Sequence, residues 1–306
     1  MNVTVVIPTL NEEKTIGDVI DRFKKIGYEN ILVIDGRSTD KTREIAEQKG
    51  ARVVIQSGSG KGQAIAEAFE IVESDVVVLI DGDGTYLPEE IDKLLKPIFN
   101  DRADHVIGNR FANYEKGAFT RLNLIGNKIL NFLFRICYGI EVHDILSGYR
   151  ALTKEVYKNV ELKKHGFEIE TELTVETLAK GFRIAEVPIT YKRREGKTKL
   201  KPIRDGIRIG RTIYELIKRY SPARYLYFVG FVLIFLGIVM GIYVVLDWFK
   251  GISHFLLAVL TTLLIVSGIQ LLMFGVISDF IFRSNVEFRR EIIRLREQLK
   301  NRKTFN

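Results

Sequence analysis

Apolar and polar positions change rhythm twice along this chain. In the first half, short apolar runs alternate with stretches of helical periodicity. Val3 to Pro8 reads as a strand, and Asn11 to Ile26 as a helix with Ile16, Val19, Ile20 and Phe23 on one face. Asn30 to Asp35 is a second strand, and Ser38 caps a helix that runs to Gly50. Ala51 to Gln56 is a third strand, Lys61 to Val72 a helix, and Asp75 to Ile80 a fourth strand. Pro88 opens the next helix as a first-turn proline, and His105 to Asn109 is a fifth strand. Alternation of this kind predicts an α/β fold, a parallel sheet with helices on both faces. Beyond residue 110 the rhythm loosens. Arg121 to Ile136 reads as a helix, Asp144 to Leu152 as irregular or a strand, Glu168 to Lys180 as a helix, and Ile184 to Tyr191 as a strand containing Pro188.

The second change is sharper. Tyr225 to Leu246 carries no charge, and neither does Phe255 to Ser278. A helix of ~20 apolar residues crosses a bilayer, so each run predicts a spanning helix. The rival reading, a buried hairpin in a soluble core, needs a larger core than this chain offers. The break from Asp247 to His254 is short, which makes the two helices a hairpin with both ends on one side. Lys218, Arg219 and Arg224 precede it, Arg283, Arg289 and Arg290 follow it, and its loop sets Lys250 against Asp247. The positive-inside rule then puts the N-terminal domain and the tail in the cytoplasm, in a two-pass protein of the cell membrane. Trp248, Tyr225 and Tyr227 stand where aromatic residues favour the interface. Met1 to Pro8 lacks the basic region and cleavage site of a signal peptide. These readings divide the chain into a globular domain (1–200), a juxtamembrane stretch (201–222), a transmembrane hairpin (223–282) and a charged helical tail (283–306). The stretch from Pro202 to Tyr220 is amphipathic, and either an interfacial helix or a domain-surface helix accounts for it.

The net charge of +8 suits an anionic membrane surface or a phosphorylated ligand. Nucleic acid is discounted, because the basic residues crowd towards the spans and no reading motif is present. Cys137 is the only cysteine, so neither disulfides nor a cysteine zinc site is expected. His105, His143, His165 and His254 show no metal-ligand spacing and read as core or surface residues.

Candidate chemistry gathers at strand tips. The run Val76 to Ile80 ends in Asp81-Gly82-Asp83-Gly84. An extended chain would point Asp81 and Asp83 the same way, and two hard oxygen donors suit Mg²⁺ or Mn²⁺ on a diphosphate. A solvated Asp-Gly turn is the bland alternative. The first strand ends in Pro8-Thr9-Leu10-Asn11-Glu12-Glu13 with no Gly-rich fingerprint, and the second in Asp35-Gly36-Arg37-Ser38. Acidic residues at three tips, glycine beside two of them, outline a nucleotide pocket.

Together with Gly60-Lys-Gly-Gln-Ala and Gly108-Asn-Arg, these segments resemble glycosyltransferase family 2 over about residues 3 to 200. The resemblance implies a GT-A (Rossmann-like) nucleotide-sugar domain ahead of the hairpin and tail. It implies base and ribose contacts by Pro8, Glu12 and Asp35, with Leu10, Asn11, Lys61, Asp81 and Gly82 completing the nucleotide set, and metal ligation by Asp83 with Asp81. A narrower likeness follows from Asp144-Ile-Leu-Ser-Gly-Tyr-Arg150, Gly166-Phe-Glu-Ile-Glu-Thr-Glu172 and Tyr191-Lys-Arg-Arg-Glu-Gly-Lys-Thr-Lys199, which resemble dolichyl-phosphate hexose synthases. The wording is closest to archaeal members that start S-layer N-glycan assembly. These use a nucleotide-sugar donor and a dolichyl or polyprenyl phosphate acceptor. Mannosyl members commonly carry Gln two residues after the second metal-site Asp, where this chain has Thr85, so UDP-glucose or UDP-GlcNAc is favoured over GDP-mannose.

By the same resemblance, Arg110 and Arg121 face the acceptor phosphate, Arg193 and Lys199 face the donor diphosphate, and Ser147 adds a hydroxyl. Arg194 and Lys197 read as surface charges, and Glu168, Glu170 and Glu172 either orient Arg193 or the acceptor or serve a helix N-terminus. Two other functions remain. A processive polysaccharide synthase carries Gln-x-x-Arg-Trp near the membrane, whereas Trp248 is the only tryptophan and lies in the hairpin loop. A non-catalytic membrane adaptor would not need the Asp81/Asp83 pair. Oligomeric state, including a homo-oligomer, is left open.

Overall fold

A computed structural model describes the chain except residues 139–140, 165, 167, 195–206, 208, 213, 216–221 and 305–306. It forms two compact units, Met1–Ile213 and Tyr214–Asn306.

The first unit is built on seven strands. They are β1 (Val3–Thr9), β2 (Ile31–Asp35), β3 (Arg52–Ile55), β4 (Val76–Leu79), β5 (His105–Tyr114), β6 (Arg150–Thr153) and β7 (Ile184–Tyr191). Their order across the sheet is β3-β2-β1-β4-β6-β5-β7. β1, β2, β3 and β4 run parallel, and Val5, Ile7, Val33 and Val78 are wholly buried, as strands covered on both faces must be. The sheet is mixed rather than parallel throughout. β6 runs antiparallel to β4 and β5, with Leu79 opposite Arg150 and Ile107 opposite the same residue. β5 extends to Tyr114, beyond the predicted Asn109, because β7 pairs with it in parallel along that extension. β7 is an edge strand, which is why Pro188 is tolerated in it.

The helices of this unit include α1 (Ile16–Lys25), α2 (Thr42–Gln48), α3 (Lys61–Ile71), α4 (Ile91–Phe99), α5 (Arg121–Tyr138), α6 (Lys154–Asn159) and α7 (Ile169–Ala179). A single 3₁₀ turn at Pro88–Glu90 leads into α4. Two helix starts differ from the sequence reading. α1 begins at Ile16, not Asn11, since Asn11 takes a left-handed φ of 51° and its side chain accepts from the Thr39 amide at 2.8 Å. α2 begins at Thr42, because Ser38 turns back to Asp35 instead of capping.

The second unit is a helical hairpin, α8 (Pro222–Trp248) and α9 (Phe255–Thr304). Tyr225–Trp248 and Phe255–Phe282 are long and apolar enough to cross a membrane. They pack through glycine: a Cβ on Gly230 would lie 2.9 Å from the Gly268 carbonyl oxygen, and one on Gly237 would lie 2.7 Å from Ile265. Such residues let two apolar helices approach closely where no hydrophobic force drives them together. From the last turn of α8, Asp247 pairs with Lys250 at 2.9 Å and with His254 at 3.0 Å across the loop. The predicted tail helix is the uninterrupted continuation of α9.

Candidate active site

β1 lies between β2 and β4, so the chain leaves it in one direction and returns on its other side. Ligands of open α/β sheets bind outside the carboxyl ends of strands at such a point. The antiparallel β6 adds the segment before Arg150 to this edge, and an isolated bridge between Tyr86 and Tyr191 adds the end of β7.

On one side, the loops after β1 and β2 are laced together. Asn11 N–H donates to Ser38 Oγ at 2.9 Å, Glu12 N–H to Thr42 Oγ1 at 2.8 Å, and Glu13 N–H to Asp40 at 3.2 Å. Asp35 is fully buried and accepts from Ser38 N–H at 2.8 Å and Ser38 Oγ at 2.5 Å. Pro8 is half-buried on β1, and Leu10 stands exposed at the rim. Gly82 is required by contact: a Cβ there would fall 2.9 Å from Thr9 Cγ2.

At the centre stands the β4 tip. β4 stops at Leu79, and the chain turns through Gly82 and Asp83 to Gly84 at φ 73°, so the expected extended alternation is absent. The turn gives each carboxylate its own cation. Asp81 meets Lys61 Nζ at 2.5 Å, and Lys61 also meets Glu170 at 2.6 Å. Burial works against the Lys61 charge, but Asp81 and Glu170 raise its pKa above the ordinary value. A Cβ on Gly148 would lie 2.7 Å from Asp81 Oδ2 and 2.9 Å from Lys61 Nζ, so a larger residue there would push on the Asp81–Lys61 pair. Asp83 Oδ1 accepts from Thr85 Oγ1 at 2.6 Å and from its amide at 3.1 Å. Asp83 Oδ2 faces Arg194 at 3.1 Å, and Arg194 also reaches Glu12 at 2.7 Å. Arg194 is therefore no surface charge; it joins the tips of β1 and β4. Among the described residues, no cluster of three His, Cys, Asp or Glu side chains is arranged to hold a metal. The carboxylate pair fits a hard cation that draws its other ligands from a diphosphate and water.

On the far side, Arg110 is buried on β5 and grips Asp144, Nε to Oδ2 at 2.7 Å and Nη2 to Oδ1 at 2.7 Å. Its guanidinium lies 5.3 Å from the Tyr191 ring centre and 5.6 Å from that of Phe119. Burial opposes its charge, yet Asp144 holds its pKa well above the usual arginine value. Glu186 of β7 fixes the segment carrying Asp144, accepting from the backbone N–H groups of Asp144 at 2.8 Å and His143 at 3.0 Å. Ser147 is fully buried, and its hydroxyl, like Glu170 Oε2, has no hydrogen-bond partner among the described residues. A buried polar atom left so costs ~1–3 kcal/mol, and a ligand's polar group would remove that cost. Arg121 is exposed at the start of α5. Arg193 is exposed beside the loop after β5, its N–H donating to Glu115 at 3.0 Å. Lys199, with Lys197 and most of the stretch from 202 to 220, lies outside the described residues.

The acidic run of α7 sits at a helix N-terminus, one of its two readings, with Glu168 at the cap and Glu170 and Glu172 in the first turn; no contact to Arg193 accompanies it among the described residues. Glu170 binds Lys61 rather than Arg193, and Glu172 accepts from the Lys163 and Lys164 amides at 2.9 and 2.8 Å. Behind the site, Arg150 is wholly buried, with Nη1 2.7 Å from Thr174 Oγ1 and 3.3 Å from His105 Nε2. Burial brings its pKa down to about 10. His105 is a core residue, bonded through Nδ1 to Thr177 at 3.0 Å.

Known proteins resemble this chain in sequence and fold. Residues 4–161 match the family described as Glycosyl transferase family 2, and residues 198–281 match the Glycosyltransferase family 2 C-terminal transmembrane region. Glycosyltransferase AglJ of Haloferax volcanii is 47% identical over 283 residues, covering 91% of this chain and 93% of that protein. A dolichyl-phosphate hexose transferase of the same organism is 38% identical, covering 70% of this chain and 93% of that protein. Among solved structures, glucosyl-3-phosphoglycerate synthase from Mycobacterium tuberculosis, in complex with Mn²⁺, UDP-glucose and phosphoglyceric acid, superimposes with a TM-score of 0.58 at 25% identity. It covers 71% of this chain and 80% of that one. The family's match runs through β1 to β6 and takes in the β4 tip, and the transmembrane match reaches the apolar helices. The chain belongs to glycosyltransferase family 2 and is a membrane glycosyltransferase with a GT-A domain.

Proposed function

We propose that the protein moves one sugar from a nucleoside-diphosphate sugar to a dolichyl or other polyprenyl phosphate, for protein N-glycosylation. The β4 tip carries this reading: Asp81 and Asp83, each facing a cation, in a chain that ends in two apolar helices of spanning length. The names of the two Haloferax relatives and the Mn²⁺ and UDP-glucose of the mycobacterial enzyme support it. Asp83, with Asp81, holds Mg²⁺ or Mn²⁺, which when bound neutralises the departing diphosphate. Pro8, Glu12 and Asp35 contact the base and ribose, Leu10, Asn11 and Gly82 complete the nucleotide site, and Lys61 keeps Asp81 in place. Arg193 and Lys199 serve the diphosphate. Arg110, preset by Asp144, takes the acceptor phosphate with Arg121 and the Ser147 hydroxyl.

The acceptor needs no base. Its second pKa is about 6, so it is anionic near neutral pH, and the task left to the protein is to hold two anionic groups in line. In-line attack inverts the anomeric centre and gives a β-linked product from an α-linked donor. Thr85 holds Asp83 at the position where, by the family resemblance, mannosyl members commonly carry Gln; this favours UDP-glucose or UDP-GlcNAc, with GDP-mannose as the alternative. The basic residues flanking the spans support a cytoplasmic catalytic domain.

The test offers the full-length protein a panel of nucleotide sugars with dolichyl phosphate and follows lipid-linked product. One donor should yield a single-sugar lipid, and Asp83→Ala should yield none. Near-normal turnover by Asp83→Ala with added Mn²⁺ would sink the metal role, and a growing polymer would replace this reading with the processive one.

A further inference from the structure

The two carboxylates of the β4 tip are held by cations of different character. Lys61 opens α3, is largely buried, and is fixed a second time by Glu170. Arg194 is a quarter exposed and reaches Asp83 from the segment after β7. The backbone of that segment is anchored, with Lys192 N–H donating to the Thr85 carbonyl at 2.7 Å and Arg193 N–H to Glu115 at 3.0 Å. The guanidinium can therefore change partners by side-chain rotation while β7 stays in place. Thr85 occupies Asp83 Oδ1 with both its hydroxyl and its amide. Oδ2, the oxygen facing Arg194, is the one through which Asp83 meets positive charge.

Resting on the metal–diphosphate reading above, we propose that Arg194 is a resident counter-ion of the donor site. It competes with the divalent cation for Asp83 and yields to a cation that arrives with a diphosphate. Two positive charges at contact distance from one oxygen repel each other strongly in a part-buried site. A bare cation displaces the guanidinium and leaves it Glu12 alone. A cation carrying a diphosphate brings phosphate oxygens, which match the planar fork of a guanidinium. Metal alone is disfavoured, metal with nucleotide is favoured, and the two load together.

Titration of Mn²⁺ into the full-length protein, followed by electron paramagnetic resonance with and without UDP or GDP, tests this. Arg194→Ala should tighten nucleotide-free Mn²⁺ binding about tenfold, the size of one charge-assisted contact. It should also shrink the factor by which the nucleotide tightens Mn²⁺. Arg194→Lys, which keeps the charge but loses the fork, should fall between. Equal nucleotide-free affinities in all three proteins, with the nucleotide effect intact, overturn the proposal and leave the metal reading standing. If the wild type binds no Mn²⁺ with either nucleotide, or Asp83→Ala binds it as tightly, the metal reading falls and this proposal with it.

Discussion

Thr85 stands two residues past Asp83, is fully buried, and hydrogen-bonds Asp83 Oδ1. Its hydroxyl orients the carboxylate, so Thr85→Val should lose about tenfold in kcat/KM, the cost of one hydrogen bond to a charged group, with the amide contact retained. Unchanged kinetics in the isosteric variant would mean that the turn alone aims Asp83. His105 gives a prediction in pH. Burial, helped by the Arg150 charge, holds its pKa well below the ordinary 6.5. The unfolded chain then binds a proton near that pH and the native one does not, so stability is fully present above it and is lost as pH falls. The slope should approach 1.4 kcal/mol per pH unit below about pH 6.5. Thermal unfolding of wild type and His105→Gln from pH 7.5 to 5.5 checks this: the variant's decline should be shallower, and parallel profiles would place the acid sensitivity elsewhere.

β5, β6 and β7 act together through the Arg110–Asp144 pair and the Glu186 clamp. Removing one member of a buried ion pair leaves an uncompensated charge costing ~3–5 kcal/mol. Asp144→Ala should therefore lower the melting temperature by roughly ten degrees, and Asp144→Ala with Arg110→Ala should recover part of it. A double variant no better than the single would show that Asp144 acts by holding its own loop. At this scale the limits of sequence reading are visible. Strands β1, β2 and β4 were legible because both their faces are buried and each apolar run leads into a carboxylate of the site, whereas β3, a half-exposed edge strand, was legible from its short apolar run between helical segments. The reversal of β6 was not, since four residues, Arg150–Thr153, carry no signal of direction. Nor were the partners of the site carboxylates. Glu170 meets Lys61, and Arg194 meets Glu12, across more than a hundred positions of sequence, where no local pattern links them. Adjacent arginines also look alike: Arg193 carried the resemblance, yet Arg194 is the one beside Asp83.

The two units invite separation. The residues proposed to hold the nucleotide lie in the first, and the apolar helices in the second. A chain ending at residue 213 should bind Mn²⁺ with nucleoside diphosphate as the whole protein does. Its transfer to long-chain polyprenyl phosphate in membranes should fall steeply, while a short soluble acceptor is spared. Undiminished use of the long-chain lipid would give the helices another purpose. α9 has a consequence of its own. Its apolar part ends at Phe282, but the helix runs unbroken to Thr304. At 1.5 Å per residue those last turns project roughly 33 Å past the apolar stretch. The tail is thus a ruler as well as a charged segment. A fluorophore at its tip should therefore stand off the lipid headgroups, with energy transfer to a membrane dye rising as one or two turns of about 5.4 Å are deleted; transfer unchanged by the deletions would show the tail lying along the surface.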